Sequence, residues 1–133
     1  MKAFLIDPKH RTITEVQHND TLEDYHRLIG CECMDSATFR RGHTVFVDDT
    51  GFYAREQHFF AIRGYPQELS NRGLVVGIDE EGETIEPSIG LPWLKDNVSW
   101  LEYQGEGCWR VLQFGGRRVI YTTEGSLSLV LSL

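Results

Sequence analysis

Gly42-His43-Thr44-Val45-Phe46-Val47-Asp48-Asp49-Thr50-Gly51-Phe52 is the stretch whose reading decides the fold. Val45, Phe46 and Val47 form an unbroken, β-favouring apolar run, the pattern of a strand covered on both faces. Asp48-Asp49-Thr50-Gly51 then stops it, because Asp side chains bond the backbone just ahead and Gly takes a positive φ without steric cost. Phe52 restarts the apolar pattern, so a hairpin continuing through 52–54 is expected. Leu74-Val75-Val76-Gly77-Ile78 repeats the design: a buried strand ended by the acidic turn Asp79-Glu80-Glu81-Gly82.

Outward from these strands, Ala3-Phe4-Leu5-Ile6, the turn Asp7-Pro8-Lys9-His10 and Thr12-Ile13-Thr14-Glu15-Val16 predict an opening hairpin. One clear helix follows over about 20–29. Leu22, Tyr25, Leu28 and Ile29 share a face, Asp20 with Glu23 or Thr21 with Asp24 has the capping-box spacing, and Gly30 terminates it. Residues 31–39 read as a strand, and Phe59-Phe60-Ala61-Ile62 as strand or helix. Pro66 at a first helical position predicts one or two turns over 67–71. Residues 87–97 read as a connector, with one helical turn begun by Pro92. Strands are expected over 98–104, 108–114 and 117–123, with Gly115-Gly116 a two-residue hairpin loop. The alternating Leu127, Leu129, Leu131 and Leu133 form a last strand. The fold class is therefore α+β: an antiparallel sheet, one main helix, short helical turns and a C-terminal β-meander. A module over 1–86 and the meander over 98–133 are expected to pack on one core as a single domain. The apolar last strand, 126–133, pairs either within its own sheet or with a second copy across a two-fold axis.

The chain has 133 residues and a net charge of −7, with no basic footprint of the kind general DNA binding requires. No apolar run is long enough to span a bilayer and no secretory leader is evident, so a cytoplasmic location is expected. Cys31, Cys33 and Cys108 read as reduced thiols. Their spacing is a poor match to a zinc site, and neither a metal nor a cofactor is expected.

Arg40, Arg41, His43, Arg55, His58 and Arg63 are a local excess of cations in an acidic protein. Arginine forms bidentate bonds to phosphate and carboxylate, and Tyr65 and Trp93 offer faces on which a flat ligand stacks. These residues are the candidate ligand site, set against the plainer reading of a solvated surface with ordinary ion pairs. Asp48-Asp49 and the run Asp79 to Glu83 suit turn chemistry better than acid–base work or calcium binding. Gly-x-Ser-x-Gly, the phosphate-binding glycine loop and His-Glu-x-x-His are absent from the sequence.

Leu28-Ile29-Gly30-Cys31, Val45-Phe46-Val47-Asp48-Asp49-Thr50-Gly51, Phe59-Phe60, Gly64-Tyr65-Pro66, Leu69 and Gly73-Leu74-Val75-Val76-Gly77-Ile78-Asp79-Glu80-Glu81-Gly82 occur in that order. Over residues 2–86 the chain resembles a family of small uncharacterised proteins carried largely by bacterial phages, plasmids and other mobile elements. That resemblance implies a mobile-element setting and supplies no catalytic residues. The expectation is a non-catalytic binding protein, a homodimer through an edge strand such as 126–133. It would sequester a small anionic, nucleotide-like molecule or occlude a host protein. The alternatives are a small hydrolase or transferase using His43 or His58 with a carboxylate, and a phage structural or assembly protein.

Overall fold

The computed structural model describes residues 1–49 and 58–103 in full, and the backbone of 104–105, 108–114, 118–120 and 130–132. Its elements are β1 (Lys2–Asp7), β2 (Thr12–Gln17), α1 (Leu22–Ile29), β3 (Met34–Arg40), β4 (His43–Asp48), β5 (Phe59–Ile62), β6 (Leu69–Ser70), β7 (Gly73–Ile78), β8 (Thr84–Ile85), α2 (Leu91–Asn97), β9 (Val98–Gly105), β10 (Cys108–Phe114), β11 (Arg118–Ile120) and β12 (Val130–Ser132). The fold is α+β and its strand pairings are antiparallel.

The first sheet runs β2-β1-β7-β4-β3, with β8 beside β7. The two strands read as buried, β4 and β7, are adjacent at its middle, with Val45 opposite Val75 and Phe46 opposite Leu74. Alternation along each strand sorts the side chains into two cores. Leu74 and Val76 of β7 and Ala3 of β1 face α1, meeting Tyr25, Leu28 and Ile29. Val75, Val45, Val47, Phe4 and Ile6 face the other way, toward Phe60, Ile62, Val98 and Trp100 of the second sheet. That sheet runs β10-β9-β5-β6, and Leu94 of α2 joins the same core. The layers are thus helix, sheet, sheet.

Gly73 shows how tightly the two sheets meet. A Cβ there would sit 2.7 Å from Val45 Cγ2 and 2.8 Å from Phe60 Cζ, so the absent side chain is what admits the Phe60 ring. Helix α1 begins at Thr21, whose Oγ1 accepts the Asp24 N–H at 3.2 Å, while the Asp24 carboxylate accepts the Asn19 N–H at 2.7 Å. Of the two capping pairs the sequence offers, Thr21 with Asp24 is used. Gly30 closes the helix at φ 78.

Two expectations change. Residues 67–71 are not helical: Leu69 and Ser70 pair with Phe60 and Phe59, and Asn71 turns the chain at φ 63. Pro66 suits an extended entry as well as a helix start, and burial of Leu69 beside Phe60 decides between them. The connector carries a full helix, α2, rather than a single turn. In the C-terminal region β10 pairs with β9 and β11 with β12, so of the two pairings left open for the terminal strand the one within its own chain is made over 130–132. The expected hairpin through 52–54, the Gly115-Gly116 loop and residues 126–129 lie outside the described residues. Both edges of β4 are taken over 43–46, by β3 and β7. No helix among the described residues is long and apolar enough to cross a membrane.

His18 gives the fold a pH dependence. It is 2% exposed, its Nδ1 accepts the Asp20 N–H at 3.1 Å, and its ring packs 5.3 Å from that of Tyr25. Burial, then the nearby terminal ammonium, pushes the imidazole pKa below its ordinary 6.5, against the pull of Asp20, Asp24 and Glu86. The unfolded chain then binds more protons than the folded one below 6.5. Stability is therefore complete above that pH and falls as pH drops through the folded value. Urea midpoints between pH 7.5 and 5 should decline in the wild type, and more gently in His18→Phe; identical slopes would remove His18 as the cause.

Candidate functional site

A polar cavity of about 410 Å³ opens where the C-terminal ends of β1, β4 and α1 meet the entry to β7. Asp7, Pro8, Lys9, His10, Ile29, Gly30, Asp48, His58, Asn71 and Arg72 line it.

Each wall follows from local chemistry. Asp7 organises the β1–β2 turn: its Oδ1 accepts the N–H groups of Lys9 at 3.1 Å and His10 at 3.4 Å, and its Oδ2 lies 2.8 Å from His10 Nδ1. Burial opposes its ionisation, but the bonds and charge of His10 and the Lys9 N–H outweigh this and hold the carboxyl below the usual carboxylate range. With Nδ1 engaged, His10 presents Nε2 as its remaining polar atom. Across the cavity Asn71 fixes the second wall: its N–H donates to His58 O at 2.7 Å, and its Oδ1 accepts the His58 N–H at 3.3 Å.

Arg72 follows directly. It is half-buried, and no carboxylate of the described residues pairs with its guanidinium. The guanidinium lies against Gly30, where any Cβ would strike it. Glycine at this helix end therefore serves two needs, the left-handed turn and the space for an arginine. The adjoining Cys31 thiol is pushed up to about 11 by burial and by the charges of Asp48 and Asp49, which makes it a poor nucleophile at neutral pH. Among the described residues no group of three or more His, Cys, Asp or Glu is arranged to hold a metal.

The residues singled out from sequence are distributed over several places. His58 is on the cavity. Arg40, Arg41 and His43 lie at the opposite end of β4, about 17 Å away at 3.3 Å per strand residue. There the Arg40 guanidinium sits 5.3 Å over the Trp93 ring, which stacks on Phe39 with centroids 6.0 Å apart. Arg63 is exposed and only its backbone is tied, to Asn97 O. Tyr65 lines a different cavity, about 350 Å³, with Asp35, Asp48, Asp49 and Glu68, an acidic surround. Arg55 lies outside the described residues.

His43 is built into the structure as a pin. Its Nε2 accepts the N–H groups of Ser88 at 3.1 Å and Ile89 at 3.3 Å, so the ring proton sits on Nδ1, 3.1 Å from the Arg41 carbonyl. A ring used this way at 6% exposure ties the β3–β4 turn to the segment before α2. His43→Phe leaves two backbone donors and a carbonyl without partners and should cost about 2–4 kcal/mol of stability. A loss below about 0.5 kcal/mol in urea unfolding would mean that these bonds contribute little.

Asp7, Lys9, His10, Asn71 and Arg72 were not legible as a site, since Asp7, Lys9 and His10 read as a turn, Asn71 as the end of a short helical stretch, and Arg72 was not among the cations singled out. The available signal was their position: each flanks a strand of the same sheet at the same end.

Residues 1–90 match the model of a family described as a domain of unknown function, DUF3846. An uncharacterised protein of Sinorhizobium fredii, y4iR, is 30% identical over 92 residues, which cover 67% of this chain and 56% of that protein. The chain thus spans little more than half the length of that relative. No solved structure matches. Every residue lining the cavity falls within the matched region, and the chain belongs to the DUF3846 family.

Proposed function

We propose that this chain is a cytoplasmic, non-catalytic binding protein of a mobile genetic element that captures a small anion in the cavity beside Arg72. The observation that carries this reading is the half-buried Arg72 guanidinium, without an ion-paired carboxylate among the described residues, on a cavity that Lys9, His10 and His58 also line. Holding a guanidinium partly out of water without a carboxylate bonded to it is costly. An anion bonded to its fork of donors removes that cost. The net charge of −7 repels anions at long range, so affinity must come from these short contacts rather than from steering.

Titration calorimetry with inorganic phosphate, pyrophosphate and a nucleotide panel tests it. Binding is expected for at least one anion, and Arg72→Gln should weaken it by about tenfold or more, with an unchanged urea midpoint. No heat from any member of the panel would overturn the reading. Self-association through the C-terminal edge belongs to the same proposal, because β12 has one strand neighbour among the described residues. Native mass spectrometry of protein taken directly from cells reads mass and retained anion together.

A second reading, a small hydrolase or transferase, draws on one observation: the His10–Asp7 pair at 2.8 Å on the cavity wall. It requires turnover of a phosphoester that His10→Ala abolishes. Binding without turnover decides for the first reading.

A further inference from the structure

We infer that β2 is a docking edge for a second copy of this chain, pairing antiparallel with the same strand across a two-fold axis, with Ile13 opposite Ile13 of the partner subunit. This surface is separate from the anion cavity and from the β12 edge, and rests on neither.

Among the described residues β2 has a strand on one side only, β1. The described strands of the C-terminal region pair elsewhere, β9 with β5 and β10, and β11 with β12. The β1–β2 register runs without a bulge from Lys2 opposite Gln17 to Asp7 opposite Thr12. Met1 and His18 continue it and exchange both bonds: the His18 N–H donates to Met1 O at 2.9 Å, and the Met1 ammonium to His18 O at 2.7 Å. Bonded pairs alternate along an antiparallel ladder. Val16, Thr14 and Thr12 therefore turn their backbone groups toward β1, and Gln17, Glu15 and Ile13 turn theirs outward. The strand contains neither Pro nor Lys, which commonly guard an open edge.

Side chains select the register. Ile13 and Glu15 share the face toward the second sheet, because they lie opposite Ile6 and Phe4 of that core. Beside them is a hollow of about 340 Å³ with Val98 and Trp100 on its apolar side and Arg11 and Lys95 among its polar lining. Both cations are exposed, and neither forms an ion pair with a carboxylate of the described residues. Three symmetric registers pair the outward groups of Ile13. Placing it opposite the partner's Gln17 sets Glu15 against the partner's Glu15, a like-charge pair. Placing it opposite the partner's Glu15 sets an apolar side chain against a carboxylate. Placing it opposite the partner's Ile13 matches apolar with apolar and Thr12 with the partner's Thr14. It also brings the partner's Glu15 opposite Arg11, at the hollow that Lys95 lines. The two-fold axis makes each of these contacts twice, and the partner supplies the acid that the two cations lack.

Native mass spectrometry and sedimentation of the full chain over a rising concentration series test this. The wild type should dimerise. Arg11→Glu and Glu15→Arg each set like charges against one another twice, and each should weaken the dimer about tenfold or more. Mixing these two variants restores both pairs, so a heterodimer should form at near wild-type affinity where neither variant dimerises alone. Both positions are exposed, so the urea midpoints should hold. Amide exchange at Ile13 and Glu15 should slow as the dimer forms. A wild type that stays monomeric at millimolar concentration would leave this edge to some other chain and overturn the inference. A dimer that survives both charge reversals would place the contact elsewhere, on β12 for example, and overturn it as well. So would a mixture that associates no more tightly than the single variants.

Discussion

Phe60→Ala is expected to lower the free energy of unfolding by about 3–5 kcal/mol, the range for emptying a buried phenylalanine site. Phe60 is fully buried and lies opposite Trp100 on β9 and Leu69 on β6. Its ring crosses to the first sheet and occupies the space over Gly73. It is therefore a wedge between two sheets, and neither sheet can close over the void without moving the other. Gly73→Ala tests the same contact from the opposite side, because its methyl group would meet Phe60 Cζ at 2.8 Å. Combined, the two changes should cost less than the sum of the singles, since the truncated side chain leaves room for the methyl. Urea unfolding of the four proteins measures the coupling. Strict additivity would show that the ring is not held against Gly73.

Gly64→Ala should cost about 3 kcal/mol or more, for two reasons that act together. Gly64 has φ 103, outside even the left-handed helical region that other residues visit. A Cβ there would also run into the backbone carbonyl of Phe39, which has no rotamer by which to yield. The turn after β5 thus rests directly on the edge of β3, joining the two sheets at the end opposite the cavity. The prediction is a large fall in urea midpoint, or failure to accumulate folded protein. A midpoint shift worth less than about 0.5 kcal/mol would mean that residue 64 has room to move away.

The fold was legible where local chemistry and burial agree. Val45-Phe46-Val47 and Leu74 to Ile78 are central strands because no polar residue interrupts them, and only adjacent positions at the middle of a covered sheet satisfy that. Asp79 was legible as turn chemistry, and its Oδ1 accepts the N–H groups of Glu81 at 3.0 Å and Glu83 at 2.8 Å. Residues 67–71 misled because proline at a helix start and proline in an extended segment leave the same local mark. Pairing with Phe59 and Phe60 is a tertiary fact. The site was less legible still. Arg40, His43 and His58 are close in sequence, yet β4 runs its full length between the turn that holds the first two and the cavity that holds the third. Asp7, Gly30, Asp48 and Arg72 are far apart in sequence and meet because β1, β4 and α1 end where β7 begins. Their convergence follows from strand order, which no local pattern carries.

The most direct measurement is an amide NMR titration with inorganic phosphate and pyrophosphate. Anion capture beside Arg72 predicts saturable shifts at Lys9, His10, Gly30, His58, Asn71 and Arg72, lost in Arg72→Gln. Shifts centred instead on Arg40, Arg41, His43 and Trp93, or none at millimolar ligand, would contradict it.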